Sequence, residues 1–526
     1  MNKRMFKIVS IVTAMVLAVS GTAFAATGSE YGPGVSGGPG VVGVSGGTGV
    51  VTTTTPASAT AVVSSQTGIA GSNTAYNGST SYEAGRVQND PITGLLPDVH
   101  VQFKTGDGNL TGGFTTNMDW FNSPMEGFSG LKIRFENSVG DVFYRAYTEE
   151  HGWTKWAMNE MDTEWFNDAA KITAVQMRIK GHTRNLYDFY YRVELNDGTV
   201  LDWAHDGQSS GTIGTGRYIQ KMQVMLWKHD LPFYQPTANH FVGANYEGIV
   251  FDGSGLPHYQ TASGAAYTGW AYDTYNNKYY FVDSNPVSDW QYVGGYKYYF
   301  DASGKVVTDL EPIMGLPGDY IIKVNKEMKC MTIYTKDGDK GYIIPYKVFL
   351  CTIGSSTPEG EFKLYEPHRW KFMHDDIYVQ YLMRYKADGF CIHSIIYRPV
   401  EGSYNLIAST YNQLGKNYSD GCIRLLSGDA AWLYTNCGAD TKLEIYYDYW
   451  VMGPFDRPAI EQAIPDTQRY DPTDPVVIAD MQNHTGPFAS GTYNGEGFET
   501  PVPEEMSAEE AAIVGGEATV STEPSI

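Results

Sequence analysis

From Val99 to about Lys228 the chain is built of short runs in which apolar and polar residues alternate: "GLKIRF", "DVFYRAY", "ITAVQMRIKG", "FYYRVEL" and "QKMQVMLW". A period of two sends successive side chains to opposite faces of an extended strand, so this pattern restricts the region to sheet. The texture continues downstream. "DYIIKVNKEMKCMTIYTKDG" reads as a hairpin around "NKEM", while "YKVFLCTIG", "FCIHSIIY" and "TKLEIYYDYW" read as strands. One segment, "SGDAAWLYTNCG", reads as a helix, with Ser427 as N-cap, Asp429 in the first turn and Gly438 at C′. The expected fold class is multidomain and mainly β.

A chain of 526 residues exceeds a single core, and at roughly 100–200 residues per domain about three folded units are expected. "MNKRMFK" followed by an apolar run from Ile8 to Val19 and "AFA" has the order of a secretory signal over 1–25. The run is short of the ~20 residues a span requires, so no membrane span is expected in the mature form. Residues 26–94 are rich in Gly, Ser, Thr and Val and read as a flexible spacer. A β-rich repeat domain is expected over 97–235. Within it Val142–Ile179 and Phe189–Leu226 look alike: each has a Tyr-Arg strand, a turn, a Trp (Trp156, Trp203) and a strand holding Val-Gln-Met or Gln-Val-Met. The pair distantly resembles the Trp-containing repeats of clostridial surface proteins.

Residues 246–310 repeat again. Trp270 and Trp290 precede "YYF" runs at Tyr279–Phe281 and Tyr298–Phe300. Hairpins this short cannot bury a core alone and must stack. Aromatic faces suit quaternary ammonium groups and sugar rings. The pattern resembles the choline- and glucan-binding repeats of Gram-positive surface proteins. That resemblance implies binding of wall glycan or teichoic acid through Trp270, Trp290, Tyr279, Tyr280, Tyr298 and Tyr299. A last module spans 314–474, and an acidic Pro/Gly-rich tail, expected to be disordered, spans 475–526.

The formal charge of −22 repels phosphate backbones, which argues against nucleic-acid binding. All five cysteines lie between 330 and 437. An odd number in an exported chain leaves at least one thiol unpaired. Cys330, Cys351 and Cys391 sit in apolar strand-like runs and read as buried thiols acting as small hydrophobes, a bridged pair being the alternative.

Cys422 differs. It lies in "NYSDGCIRLL", in a tight Ser-Asp-Gly turn just before the helix. A thiol attacks as thiolate and needs a base beside it. A glycine there lets backbone amides and substrate approach together. His393, in the apolar "FCIHSII", is the candidate base, a core histidine bonded to a carbonyl being the plainer reading. "His393-Ser394" in a strand followed by "LG…SDGCIRL", with "TPEGEF" from Thr357 upstream, resembles the YkuD-type L,D-transpeptidases over about 315–474.

The resemblance implies a β-sandwich-like YkuD fold with a helix after the nucleophile. It implies Cys422 as acyl-forming nucleophile, His393 as base and then acid, the Ser394 carbonyl orienting the ring, and Gly421 at the oxyanion. Ser419 and Arg424 are expected at the substrate. No metal or organic cofactor is implied. The reaction implied is a 3→3 cross-link between peptidoglycan stem peptides, made by a protein secreted to the cell wall of a Gram-positive-type bacterium. The alternatives are an L,D-carboxypeptidase on the same stems and a non-catalytic wall-adhesion protein. Two features depart from the family. Asp420 stands where a histidine is usual and is expected to turn away or be neutralised by Arg424 or Lys416. Also, 29 residues separate His393 from Cys422 (422 − 393), so the extra loop "YRPVEGSYNLIASTYNQLGKN" is expected to be a substrate-facing flap.

Overall fold

The computed structural model describes residues 88–110, 121–122, 126–166, 168–373, 377–398, 402–450 and 453–489. The signal segment, most of the spacer and the tail from 490 lie outside the described residues. The described chain is mainly β, with few helices. Its first residues are already docked although composition assigns them to the spacer. Asp90 and His182 form a buried pair at 3.0 Å, and Tyr187 donates from its hydroxyl to the Gln88 carbonyl.

In the upstream domain Asp141–Thr148 pairs antiparallel with Ile172–Lys180, and Tyr187–Leu195 with Ile219–Lys228. The same contacts recur 47 residues apart (192 − 145, 223 − 176, 203 − 156). Arg145 Nε donates to Gln176 Oε1 at 2.8 Å, and Arg192 Nε to Gln223 Oε1 at 2.8 Å. The two guanidinium groups lie over Trp156 and Trp203, at 4.9 and 4.6 Å. Tyr144 and Tyr191 donate to the carbonyls of Met161 and Gln208. The Trp residues are thus held by buried arginines from the sheet, an arrangement that removes both groups from water together.

The aromatic region forms three small sheets, with Trp270 paired in register to Tyr280 and Trp290 to Tyr299. A two-stranded hairpin has one face to bury, and here the aromatics do the burying. Tyr279 and Tyr298 are in the interior. Trp270 packs edge-on to Tyr280 and Tyr298, and Lys278 lies 4.7 Å over its ring. Trp290 meets Tyr299, and Lys297 lies 5.2 Å over it. None of the six aromatics is exposed. Each indole thus already carries one of the chain's own lysines.

The last module is two packed sheets. One runs in the order Ile344–Leu350, Cys330–Thr335, Tyr320–Asn325, Lys442–Tyr446, Gly360–Lys363; the other Tyr365–Met373, Ile377–Lys386, Phe390–Ser394, Ile423–Leu425. The hairpin expected around "NKEM" is present, and the Asn325 side chain caps its turn by accepting from the amides of Glu327 and Met328. Between the sheets lie Ile322, Ile333, Met383, Ile392, Ile423 and Leu425, and the helix Ser427–Asn436 adds Ala430 and Leu433.

Three sequence expectations change. Ser427 is the first helical residue and not the cap. Its N–H donates to the Asp471 carboxylate at 2.7 Å, and that of Gly428 to Thr473 Oγ1 at 3.0 Å, so the cap comes from a distant segment. The described residues of the loop after His393 pack into the fold instead of standing free as a flap. They hold a short helix, Ala408–Asn412, and bury Tyr397, Leu406, Tyr411 and Leu414 against Val139, Ile460 and Ile464. Finally, the chain from 475 begins with a helix, Pro475–Asn483, and Phe488 is buried beyond it.

Residues 453–474 run back over the molecule and join its parts. Arg457 Nε pairs with Asp141 Oδ2 of the upstream domain at 2.9 Å, and its Nη1 donates to the carbonyls of Met328 and Gly415. Asp456 takes Lys278 Nζ at 2.8 Å, the Tyr272 hydroxyl at 2.8 Å and Arg178 Nη2 at 3.2 Å. Burial there is offset by these cations, which hold the Asp456 carboxyl below the usual range.

The opposite case is Asp429 on the helix. Burial first, then the neighbouring Asp471 and Asp309, push its carboxyl up to about 7, with Lys347 opposing. A raised carboxyl binds its proton more tightly in the folded state, so stability falls as pH rises from about 4 to about 7. The expected result is that Asp429→Asn stabilises the fold at pH 8 by about 1–3 kcal/mol and leaves it nearly unchanged at pH 4, read by urea unfolding at the two pH values.

Candidate active site

Two parallel strands make the site. Phe390–Ser394 runs beside Ile423–Leu425 with Ile392 opposite Ile423 and His393 opposite Arg424. Ile392 and Ile423 face the core between the sheets. By alternation Cys391, His393, Cys422 and Arg424 share the other face, which puts Cys422 beside Cys391.

His393 is 3% exposed, and its Nδ1 lies 2.6 Å from the Ser394 carbonyl oxygen. A carbonyl only accepts, so Nδ1 carries the proton and Nε2 is left as the acceptor for a thiol. The imidazole shares the sheet face of Cys422 and acts on its thiol, favouring the ionised form. Ser394 is itself fixed: its hydroxyl accepts from the Gln380 amide at 2.8 Å and donates to the Ile395 carbonyl at 2.7 Å.

The sulfur of Cys422 is half-buried and lies 3.4 Å from the Gly389 carbonyl oxygen. The neighbouring Cys391 thiol is the largest influence lowering its pKa. Burial opposes, and His393 adds to the lowering. Together they hold the Cys422 thiol well below its ordinary range, in the regime of reactive thiolates. The other cysteines respond oppositely: burial pushes Cys330 and Cys437 up to about 12.

The turn before Cys422 is clamped. The Gly421 carbonyl accepts from Thr357 Oγ1 at 2.9 Å and from the Tyr385 hydroxyl at 3.4 Å. Thr357 belongs to the "TPEGEF" run, so that run braces the cysteine turn. Ser419 donates to the Cys422 carbonyl at 2.7 Å, which commits its hydroxyl to the turn and not to a substrate. Arg424 Nη1 donates to the Tyr418 carbonyl at 2.6 Å. Asp420 is exposed, and both its charge and that of Cys422 act on the Arg424 guanidinium. Lys416 responds to Asp141 and Arg457 instead.

Glycine is required at two positions by contact. A Cβ on Gly421 would lie 2.6 Å from the Phe390 ring, and one on Gly354 would lie 2.2 Å from the Ser419 carbonyl oxygen and 2.5 Å from the Gly421 nitrogen. Gly354→Ala therefore pushes the turn off its strand. The expected result is a fall on the order of 10²-fold in the rate at which Cys422 is acylated, measured by adduct formation over time.

Sequence reasoning singled out Cys422, His393, Ser394, Gly421, Ser419 and Arg424, and the fold gathers all six. It missed Cys391, read as a core hydrophobe, and the Gly389 carbonyl that both thiols share. The register of the two strands, absent from the local pattern, is what brings them in. Among the described residues no group of three His, Cys, Asp or Glu is arranged to hold a metal ion, and no helix is long and apolar enough to cross a membrane.

Residues 319–445 match the YkuD family, described as the L,D-transpeptidase catalytic domain. A putative L,D-transpeptidase, YciB of Bacillus subtilis, is 34% identical over 98 residues, which are 18% of this chain and 48% of that protein. The chain thus spans about half the length of this curated relative. Among solved structures, an L,D-transpeptidase from Mycobacterium smegmatis is 17% identical over 24% of this chain and 58% of its own, with a TM-score of 0.20. One from Mycobacterium tuberculosis H37Rv is 16% identical over 38% of this chain and 92% of its own, with a TM-score of 0.18. LdtMt1, solved in complex with imipenem, is 19% identical over 24% of this chain and 58% of its own, with a TM-score of 0.20.

Proposed function

We propose that the module at 314–474 is an L,D-transpeptidase acting through a Cys422 acyl-enzyme on peptidoglycan stem peptides, in a secreted wall protein. The observation that carries this reading is His393, oriented by the Ser394 carbonyl, on the same sheet face as Cys422 across two adjacent strands. The Cys422 thiolate attacks the carbonyl of an L-centre that precedes a terminal D-residue. The Gly421 and Cys422 amides face the developing oxyanion, and the imidazolium gives its proton to the departing D-alanine amine. A side-chain amine of a second stem then attacks the thioester, His393 takes the amine's proton, and a 3→3 cross-link forms as the thiolate is released.

The carboxypeptidase reading differs only in that water replaces the amine. Muropeptide analysis separates the two, with cross-linked dimers on one side and tripeptides on the other. In the adhesion reading the thiol forms no acyl bond. The deciding experiment is intact-mass measurement of the full chain after exposure to imipenem. The expected result is one adduct, absent from Cys422→Ala. No adduct on the folded protein, or one that survives Cys422→Ala, overturns the enzymatic reading. A wall-binding role for the 246–310 repeats also belongs to this proposal. Because Tyr279 and Tyr298 are interior, it falls to the partly exposed rims of Trp270, Trp290, Tyr280 and Tyr299.

A further inference from the structure

The nucleophile has a second thiol as its neighbour. Cys391 precedes Ile392 and Cys422 precedes Ile423, and the two isoleucines are paired across parallel strands. Paired strands run about 4.8 Å apart, within the Cα separations of about 4.4–6.8 Å that a disulfide spans. Both side chains leave the sheet on one face. The Cys391 sulfur lies 3.3 Å and the Cys422 sulfur 3.4 Å from the same carbonyl oxygen, that of Gly389. Cys391 is buried with Val379 and Leu382, shielded from reagents that reach the half-buried Cys422. One thiol is thus open and activated, and the other is covered and within reach of it. That pairing matches a peroxide-sensitive cysteine and its resolving partner.

We propose that Cys391 and Cys422 are a reversible thiol-oxidation site, in which Cys391 captures oxidised Cys422 as an intramolecular disulfide. The oxidant class is a hydroperoxide. The Cys422 thiolate attacks the terminal oxygen, the O–O bond breaks, and the alcohol, or water from hydrogen peroxide, leaves after taking a proton. Cys422 is then a sulfenic acid. The Cys391 sulfur attacks the sulfenic sulfur, the S–O bond breaks, and hydroxide leaves as water with the proton of Cys391. Two electrons have passed from the thiol pair to the peroxide. The disulfide removes the nucleophile from acyl transfer and blocks further oxidation to the sulfinic acid, which dithiols do not reverse. A dithiol reopens the site by exchange through a mixed disulfide. The inference rests on Cys422 being the reactive thiol and not on which acyl group it carries.

The test uses the full chain, titrated with hydrogen peroxide and followed by intact mass, peptide mapping under non-reducing conditions, and imipenem acylation before and after dithiothreitol. The expected result is loss of the mass of two hydrogen atoms, a Cys391–Cys422 cross-linked peptide, lost acylation and its full return on reduction. Cys391→Ser is expected to gain two oxygen atoms at Cys422 and to stay inactive after reduction. Wild-type protein that takes up oxygen at Cys422 with no cross-link, or that cross-links other cysteines, overturns the proposal. The peptide map of the wild type decides this even where Cys391→Ser does not fold. A cross-link in a protein that imipenem never acylates sinks the transpeptidase reading alone.

Discussion

His393→Ala lowers the rate of Cys422 acylation by about 10²–10⁴-fold, the span expected for loss of a positioned general base. The imidazole is held by one bond, Nδ1 to the Ser394 carbonyl at 2.6 Å, and that carbonyl belongs to a strand residue whose own hydroxyl is bonded on both sides. That bond orients the ring and leaves Nε2 as its acceptor. Removal of the ring also changes when the thiolate exists. In the wild type the folded Cys422 thiol is depressed, the Cys391 thiol and His393 being the causes that outweigh burial. The thiolate therefore persists well below pH 8 and is lost only as pH falls through that depressed value. Without His393 one lowering contribution disappears and burial remains, so the midpoint moves to higher pH. Alkylation by iodoacetamide as a function of pH reads this directly. An unmoved midpoint in a folded His393→Ala protein would remove His393 from the role of base.

Asp456→Ala destabilises the protein by about 3–5 kcal/mol, because it leaves buried cations without their counter-charge. Arg178 is fully buried, Lys278 and Lys180 lie close by, and Tyr272 loses its acceptor. These partners come from the upstream sheet and from the aromatic hairpins, whereas Asp456 comes from the segment that follows the last strand of the module at 314–474. The loss is thus one of coupling between parts, and the unfolding transition is expected to broaden or split as cooperativity falls. The pH sense follows from the depressed carboxyl. Its contribution is present above the unfolded value near 3.8 and fades as pH falls toward the folded one. Asp456→Asn, which keeps the Tyr272 bond, should cost less. Urea unfolding of both variants at pH 7 and at about pH 2 checks magnitude and direction, with the difference from wild type shrinking at the lower pH.

The chemistry was legible where it depended on neighbours in sequence. A cysteine after Ser-Asp-Gly, a histidine in an apolar strand and a threonine-led "TPEGEF" run are local patterns, and the fold brings those three to one place. What misled was supplied from far along the chain. Ser427 looked like a cap because it precedes a helical run, yet Asp471 occupies that role from 44 residues away (471 − 427). The loop after His393 looked like a flap because its length is unusual, yet Leu406, Tyr411 and Leu414 find cover on Val139 and Ile464. Tyr279 and Tyr298 looked free to bind because hairpins are thin, yet stacking one hairpin on the next made them core.

Alternation and turn chemistry alone determined that this chain forms strands and that a thiol stands at the mouth of a tight turn, since both depend on backbone preferences acting over a few residues. Tertiary structure decided which thiol stands beside which, where the helix finds its cap, and how the parts are locked through Asp456. Those depend on strand register and on burying charge against charge, and neither acts until distant segments meet.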